Sequence, residues 1–233
     1  MALNDATTKK KFTLPSGGLY VITDGSTGPV LYARVRACLG GGAKLFQYRA
    51  KNIASDVQHR DASALRKLTI AAGAGLIIND DVALCLAVGA DGVHLGRNDA
   101  CVSMARETLG AKAIVGASCY DQPERAHQAL SDGADYVAFG AIRPSISKPG
   151  APGVSAAVLS QAVREISAPV VAIGGIDLAT ATHLWERGIR FCAVIHDLFS
   201  CKDIEARVAR YQQLFTRHFR PYSTAWDNEA GQE

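Results

Sequence analysis

The sequence predicts an α/β protein that folds as one (β/α)8 barrel, a TIM barrel. Eight short apolar runs recur along 233 residues, and longer segments with helical spacing separate them. The runs do not alternate cleanly between polar and apolar residues, which is typical of parallel strands covered on both faces. A doubly wound open sheet would show the same order of elements. Eight β-units in this length, without an opening G-x-G-x-x-G motif, favour closure into a barrel.

The predicted strands are the eight apolar runs at 19–23, 44–48, 76–79, 92–95, 113–118, 136–140, 170–174 and 191–195. Helical spacing marks five further segments, at 29–39, 56–72, 123–131, 154–166 and 204–215. Two Gly-Ala-Asp elements, at 89–91 and 133–135, each place a helix-ending glycine just before a strand. These boundaries predict an N-terminal extension over 1–18, a barrel domain over 19–216 and a C-terminal tail over 217–233.

Composition excludes several classes of function. A formal charge of +3 from 25 basic and 22 acidic residues is too balanced for a nucleic-acid-binding surface, which needs clustered basic residues. No apolar run is long enough to span a bilayer, and the first residues lack the apolar stretch of a secretion signal. We therefore expect a cytoplasmic protein without a nucleic-acid or membrane partner. Self-association into a homo-oligomer stays open.

The cysteines do not form a recognisable site. They stand at positions 38, 85, 101, 119, 192 and 201, without the CxxC spacing of a zinc site or a redox pair. We expect most of them to be small core residues. Cys119 follows the end of a predicted strand, so a functional role is conceivable for it.

The second predicted strand ends in polar residues. In a barrel of this kind the active site forms at the carboxyl ends of the strands. Alternation sends Gln47, Arg49 and Lys51 to the same side if the extended conformation persists. A guanidinium and an ammonium together suit an oligophosphate, because one binds in a bidentate manner and the other is a movable point charge. The alternative is a solvated basic rim.

The third and fourth predicted strands bring carboxylates to the same end of the barrel. Asp80 follows Asn79 after the third strand, and Asp99 follows the fourth. Carboxylates of this kind, together with substrate phosphates, are what Mg²⁺ accepts. Asp81 and Asp99 could each instead be the N-cap of the next helix, and Asp81 fits a cap better. We therefore take Asp80 and Asp99 as the candidate metal ligands.

The fifth strand and the loop after the sixth add hydroxyls and a lysine. Ser118 could line a ring-binding pocket, or else cap a helix. The loop over 141–153 is the longest irregular stretch, and it is rich in proline and glycine. It contains Ser145, Ser147 and Lys148, and a lysine there could close over bound phosphates.

The seventh and eighth strands are followed by the loops that commonly form a phosphate-monoester site in such barrels. Gly175 lacks a Cβ, so its backbone N–H can approach phosphate oxygens closely; a plain tight turn is the alternative. After the last strand come Ile195, His196 and Asp197. Of the other histidines, His94 lies inside an apolar run. We interpret it as a buried core residue whose ring nitrogens have hydrogen-bond partners, rather than as a ligand.

Seven segments of the chain carry a resemblance to a known family. In order they are LYVITD, FQYRAKN, IINDD, ADGVHLGRND, VGAS, ADYVAFGAIRPSISKPG and VVAIGGID. Together they resemble the thiamine-phosphate synthase family, over a range from Leu19 to about Phe199. The resemblance implies a transferase that joins hydroxymethylpyrimidine diphosphate to a thiazole phosphate, with loss of pyrophosphate and help from Mg²⁺.

The resemblance also implies roles for individual residues. It places Gln47 on the pyrimidine and Ser118 at the pyrimidine pocket. The diphosphate is assigned to four residues: Arg49, Lys51, Asn79 and Lys148. The metal is assigned to Asp80 and Asp99. Catalysis is then expected from four side chains that touch the reacting groups: Arg49, Lys51, Lys148 and Ser118.

The thiazole-phosphate site resembles the family less closely. Ser145 and Ser147 stand where family members often have threonines, and Gly175 matches the backbone-binding glycine. At the eighth strand the family usually has a phosphate-binding serine where this chain has His196, and Asp197 adds a negative charge nearby. In the loop after strand six, Arg143 stands where an aromatic residue is common, and it could offer a compensating cation.

Two other functions are compatible with the same barrel. A thiazole tautomerase would need an acid–base side chain near the pocket, for which Tyr120 and His196 are the candidates. A noncatalytic sensor of thiazole or thiamine phosphate would not need to stabilise a leaving pyrophosphate. The cations and carboxylates of strands two to four therefore favour the synthase.

Overall fold

Eight parallel strands close into a barrel in chain order, with the first strand paired to the eighth. The structure is a computed structural model that describes residues 12–97, 99–143 and 153–220. All eight sheet contacts are parallel, and helices connect the strands on the outside. The predicted (β/α)8 barrel is confirmed. The division of the chain into extension, barrel and tail stays a prediction.

The strands lie close to their predicted positions. They are β1 (Gly18–Ile22), β2 (Leu45–Tyr48), β3 (Gly75–Asn79), β4 (Gly92–Leu95), β5 (Ile114–Tyr120), β6 (Tyr136–Gly140), β7 (Val170–Ile173) and β8 (Phe191–Val194). β5 runs two residues further than predicted, because its pairing with β6 shifts register between Ser118 and Tyr120. This bulge carries the chain past Ser118 toward the mouth of the barrel.

Within the described residues, the helices are the five that were predicted and four further ones. They are α1 (Gly28–Gly40), α2 (Ser55–Ala71), α3 (Val82–Val88), α4 (Val102–Leu109), α5 (Pro123–Ser131), α6 (Ala156–Glu165), α7 (Leu178–Glu186), α8 (His196–Phe199) and α9 (Ile204–His218). No helix within the described ranges is both long enough and apolar enough to cross a membrane.

Two apolar layers support the barrel. The outer layer lies between strands and helices and includes Val35, Phe46 and Trp185. The inner layer fills the lumen with side chains from alternate strand positions, such as Ile22, Ile77 and Phe191. Because the lumen is packed at this level, a small-molecule site has room only above it, at the carboxyl ends of the strands.

The two Gly-Ala-Asp elements perform the same task at the opposite end of the barrel. Gly89 ends α3 in the left-handed conformation, with φ of 62°. Asp91 then accepts a hydrogen bond from the backbone N–H of Leu76 at 2.9 Å, and Asp135 accepts one from Val115 at 2.7 Å. Each aspartate thus ties the start of its strand to the start of the preceding one, which explains why the element is repeated.

Candidate active site

The polar residues at and just after the end of β2 lie in three different settings. Gln47 is buried, and its Nε2 donates to the Tyr20 hydroxyl at 2.9 Å. The Arg49 backbone is held by Thr23, whose Oγ1 accepts from the Arg49 N–H at 2.8 Å. Lys51 lies in a turn, so the extended conformation does not persist to it as the alternation argument required. It still reaches the neighbouring strand end, because its Nζ lies 3.2 Å from Asp80 Oδ2.

Two carboxylates face each other beside that lysine. Burial and the neighbouring Asp99 carboxylate raise the pKa of Asp80, while Lys51 acts in the opposite direction. Lys51, Asn79 and Asp80 line a cleft of about 270 Å³ between the loops that follow β2 and β3. The Asp80 and Asp99 carboxylates repel each other, and the Lys51 ammonium offsets that repulsion only in part. Such a pair of oxygen donors favours a divalent cation.

The competing cap interpretations of the aspartates are resolved by their hydrogen bonds. Asp81 Oδ1 accepts from the Leu84 N–H at 2.7 Å at the start of α3, so it is a helix cap as expected. Asp99 is not a cap, since the N-cap of α4 is Cys101. Its Oδ2 instead accepts from the Gly96 N–H at 2.7 Å, which holds the carboxylate near the end of β4.

A chain of buried polar side chains crosses the lumen beneath the site. The Tyr20 and Tyr136 hydroxyls are 2.8 Å apart, and Tyr136 lies 3.0 Å from His94 Nδ1. His94 Nε2 lies 2.9 Å from Ser118 Oγ. Burial lowers the pKa of His94 to about 4, so the imidazole is neutral at neutral pH. The chain connects Ser118 to Gln47 across the barrel.

The sequence predicted only the two ends of this chain, Gln47 and Ser118, as site residues. His94 is a satisfied buried histidine, as expected, but its contact with Ser118 links it to the site. Tyr20 and Tyr136 were not singled out, because each stands within an apolar run. The available signal was alternation along β1, which sends Tyr20 to the same face as the lumen residue Ile22.

Tyr120 lies at the rim of the barrel. Its backbone has φ of 59°, at the end of the β5 bulge. The guanidinium of Arg97 lies 4.6 Å from the centre of its ring, and that of Arg125 lies 5.9 Å away. The ring is therefore held by two cations, each in a cation–π contact.

The loops after β6 and β7 are joined by Arg143. Its backbone N–H donates to the Gly174 carbonyl at 3.1 Å, and its Nη1 donates to Asp177 Oδ2 at 3.0 Å. Gly175 has φ of 66°, and a Cβ there would lie 2.8 Å from the Arg143 Cβ. Glycine is therefore required at 175 both by backbone conformation and by the close approach of the arginine. The Arg143 guanidinium forms an ion pair with Asp177, at the edge of the expected phosphate site.

Asp177 makes two kinds of contact that mutation can separate. It caps α7 by accepting from the Thr180 N–H at 2.7 Å, and it pairs with the half-exposed Arg143. We expect Asp177→Ala to lower the free energy of unfolding by about 1–2 kcal/mol, chiefly through loss of the cap. Asp177→Ser keeps a capping oxygen and loses only an exposed ion pair, so its loss should stay below about 1 kcal/mol. Urea unfolding at pH 7 measures both.

The stabilisation that the Asp177 carboxylate provides depends on pH in a definite direction. Hydrogen bonds from Thr180 are the largest cause of the lowered pKa of Asp177. The contribution of Asp177 to the free energy of unfolding is therefore present above its unfolded-state pKa of about 3.9. It is lost as pH falls through its lower folded-state pKa. Equal losses for the alanine and serine variants would show that the ion pair, not the cap, is the main contribution.

The negative charge in the loop after β8 is paired with residues of α9, which the sequence of the loop does not reveal. Asp197 Oδ2 accepts from the Tyr211 hydroxyl at 2.6 Å, and Oδ1 lies 3.5 Å from Arg207 Nη1. Its negative charge is thus paired with α9. His196 is the first residue of α8 and is exposed, and Ile195 is the residue before it.

Some predicted site residues fall outside the structural description. Ser145, Ser147 and Lys148 lie outside the described residues, as does most of the loop over 141–153. Within the described ranges, no group of three or more His, Cys, Asp or Glu residues is arranged to hold a metal ion by protein ligands alone. A site of two carboxylates completed by substrate phosphates and water would not form such a group.

Most cysteines pack as expected. Cys38, Cys85, Cys119 and Cys192 are buried. Burial raises the pKa of the Cys119 thiol to about 12, so it stays a protonated thiol at neutral pH and has no nucleophilic character there.

Comparison with known proteins agrees with this arrangement. The sequence model of the family described as thiamine monophosphate synthase matches residues 19–198. A thiamine-phosphate synthase of Azoarcus sp. (strain BH72) is 47% identical over 199 residues, which cover 85% of this chain and 97% of the relative. One from Nitrosococcus oceani is 44% identical over 200 residues, covering 85% and 92%.

A solved structure extends the agreement to three dimensions. The thiamine phosphate pyrophosphorylase from Pyrococcus furiosus superposes with a TM-score of 0.79 at 32% identity, covering 88% of this chain and 98% of that one. The matched range includes every strand of the barrel apart from the first residue of β1. The chain belongs to the thiamine-phosphate synthase family.

Proposed function

We propose that the protein joins 4-amino-2-methyl-5-hydroxymethylpyrimidine diphosphate to 4-methyl-5-hydroxyethylthiazole phosphate and releases pyrophosphate. Family membership supports this reaction. The observation that carries it is the contact of Lys51 with Asp80, itself beside Asp99, at the mouth of the barrel. Groups suited to a diphosphate and its counter-cation thus adjoin a buried polar chain suited to a ring.

The diphosphate is bound by residues after β2, β3 and β6: Arg49, Lys51, Asn79 and Lys148. When the C–O bond breaks, its electron pair leaves with pyrophosphate and a delocalised pyrimidine methyl cation remains. The charge that develops in the transition state is therefore on the leaving group, where a guanidinium and an ammonium stabilise it most. Lys51 exchanges its Asp80 contact for a phosphate oxygen when substrate binds.

Asp80 and Asp99 would hold Mg²⁺. The fit is supported by the raised pKa of Asp80 beside Asp99, since a divalent cation would relieve the repulsion between two carboxylates. Oxygen donors with free coordination positions for phosphate and water are the usual magnesium environment. When bound, the ion would supply positive charge to the departing pyrophosphate.

Gln47 and Ser118 hold the pyrimidine. Both side chains end at the top of the packed lumen and are linked through His94, Tyr136 and Tyr20. A ring fixed there leaves its methylene carbon directed to the open mouth of the barrel. The thiazole nitrogen then forms the new C–N bond from a held position, and no protein base is needed for that step.

The thiazole phosphate is bound at the opposite side of the mouth, by Gly175, Ile195 and His196 together with Ser145 and Ser147. Glycine is required at 175, and a residue without a Cβ lets its backbone N–H approach a phosphate oxygen closely, which supports this assignment. Asp197 does not oppose this assignment, because its charge is paired with Arg207 and its oxygen with Tyr211.

A direct assay tests the reaction. Purified protein with both substrates and Mg²⁺ is expected to form thiamine phosphate and pyrophosphate in equal amounts, measured by chromatography and a coupled phosphate assay. Absence of product at saturating substrates would refute the synthase. Isomerisation of a thiazole substrate without the pyrimidine would support a tautomerase using Tyr120 or His196. Binding of thiazole or thiamine phosphate without turnover would support a sensor.

A further inference from the structure

The buried polar chain in the lumen has a definite direction. Its five members are Gln47, Tyr20, Tyr136, His94 and Ser118, and consecutive polar atoms are 2.8–3.0 Å apart. Tyr20 and Tyr136 are each 1% exposed and His94 is 7% exposed, so water does not substitute for missing partners there. Each hydrogen in such a chain needs an acceptor, and each contact needs one donor.

The direction follows from the Gln47 end. The structure orients the Gln47 amide with Nε2 toward Tyr20, and an amide nitrogen can only donate, so the Tyr20 oxygen accepts; the flipped amide would reverse every hydrogen bond in the chain. The Tyr20 hydrogen then goes to the other neighbour of that hydroxyl, the Tyr136 oxygen. Tyr136 in turn has its own hydrogen to give, and its remaining neighbour is His94 Nδ1. His94 Nδ1 must therefore be an acceptor.

The far end of the chain is determined in the same way. A neutral imidazole that accepts at Nδ1 carries its hydrogen on Nε2. Nε2 then donates to Ser118 Oγ, and the Ser118 hydrogen is left free for a group above the lumen. The opposite order, and a doubly protonated imidazole as well, would leave the Tyr20 hydrogen without an acceptor among its neighbours at a position sealed from water.

We propose that Tyr20, Tyr136 and His94 are positioning residues. Tyr20 orients Tyr136, and Tyr136 holds His94 in the Nε2–H tautomer. His94 thereby makes Ser118 a hydrogen-bond donor to a ring nitrogen of the substrate. The identity of the ring rests on the proposed function, whereas the direction of the chain does not. At the other end Gln47 offers its amide oxygen as an acceptor. An aminopyrimidine has both matching groups, an exocyclic amino donor and ring-nitrogen acceptors.

The tautomer can be measured without turnover. Full-length protein labelled with ¹⁵N-histidine is expected to show, in long-range ¹H–¹⁵N correlation spectra, a neutral His94 with its proton on Nε2. The His94 signals are assigned by their loss in His94→Gln. A proton on Nδ1, or a doubly protonated ring, at neutral pH would overturn the proposal. This result can be read even if the protein forms no thiamine phosphate.

Breaking the chain should change both the tautomer and the kinetics. Tyr136→Phe removes the donor to His94 Nδ1, so we expect a mixture of the two tautomers. Loss of one oriented hydrogen bond should lower kcat/KM for the pyrimidine diphosphate by about tenfold, while KM for the thiazole phosphate stays unchanged. Tyr20→Phe removes the acceptor of the Gln47 Nε2–H but leaves Tyr136 its donation to His94 Nδ1, so it should lower kcat/KM for the pyrimidine diphosphate while the Nε2–H tautomer is kept. The wild-type spectrum covers the case in which Tyr136→Phe does not fold.

A matched control separates this role from general stability. Tyr32→Phe removes a tyrosine hydroxyl that donates to Asp61 on the outside of the barrel. It is expected to lower stability while leaving the His94 tautomer and both kinetic constants unchanged. Unchanged spectra and unchanged kcat/KM in a folded Tyr136→Phe variant, or unchanged kcat/KM in a folded Tyr20→Phe variant, would overturn the positioning role.

Discussion

Arg49→Ala is expected to lower kcat by about 100- to 1000-fold, the usual effect of removing one preorganised charge from a transition state. The Arg49 backbone is held to Thr23 by hydrogen bonds that alanine can also make, and among the described residues its guanidinium has no ion-pair partner. The side chain thus contributes little to the fold. Steady-state kinetics with both substrates, and thermal unfolding, measure the two effects separately.

The control for this prediction is another arginine. Arg36→Ala removes an exposed guanidinium from α1 on the outside of the barrel and should leave kcat unchanged. Wild-type turnover in Arg49→Ala would refute the role of Arg49 in stabilising the leaving pyrophosphate. A drop in turnover accompanied by an equal drop for Arg36→Ala would indicate a nonspecific effect of charge.

Asp80→Asn is expected to lower kcat by about 100-fold at a fixed Mg²⁺ concentration, since Asp80 is a proposed ligand of the ion that would neutralise pyrophosphate. The substitution suits the backbone, because Asp80 has φ of 66° and asparagine tolerates the left-handed region. Removal of one of two facing carboxylates also relieves repulsion. The variant should therefore lose turnover while its melting temperature stays equal to the wild type or rises.

The next residue supplies a matched control. Asp81→Asn replaces a helix cap by another good cap, so both stability and Mg²⁺ dependence should stay close to wild type. A magnesium titration of activity for the two variants measures the difference. Similar Mg²⁺ curves for wild type and Asp80→Asn would exclude Asp80 as a ligand, whereas loss of activity in Asp81→Asn would move the ligand to the neighbouring position.

Much of the barrel could be predicted because its signals are local. Each strand is an apolar run covered on both faces, and the chain order of the runs is also their order in the sheet. The short helices α3 and α8 have too few residues for a period to emerge, and they were not predicted. The two-residue extension of β5 depends on a bulge against β6, which periodicity within β5 does not reveal.

The site was predictable to the extent that strand ends define it. Gln47 and Ser118 lie near the ends of apolar runs, and Asp80 and Asp99 follow such runs, so position along the chain was enough to select them. The roles of Asp81 and Asp99 depend on which N–H each carboxylate reaches, a choice that spacing leaves open. The paired charge of Asp197 depends on α9, whose first residue lies seven positions further along the chain.

The sequence by itself determined the barrel, the order of its strands and the end at which its polar residues gather, because these follow from hydrophobic pattern and strand direction. It also determined the family, through seven segments in a specific order. Only the tertiary structure decided that Lys51 lies against Asp80, and that Tyr20, Tyr136 and His94 connect Gln47 to Ser118. Those contacts join residues from different strands. Pairing of neighbouring strands brings Lys51 to Asp80, Gln47 to Tyr20 and His94 to Ser118. Closure of the barrel brings Tyr136 within hydrogen-bonding distance of Tyr20 and His94.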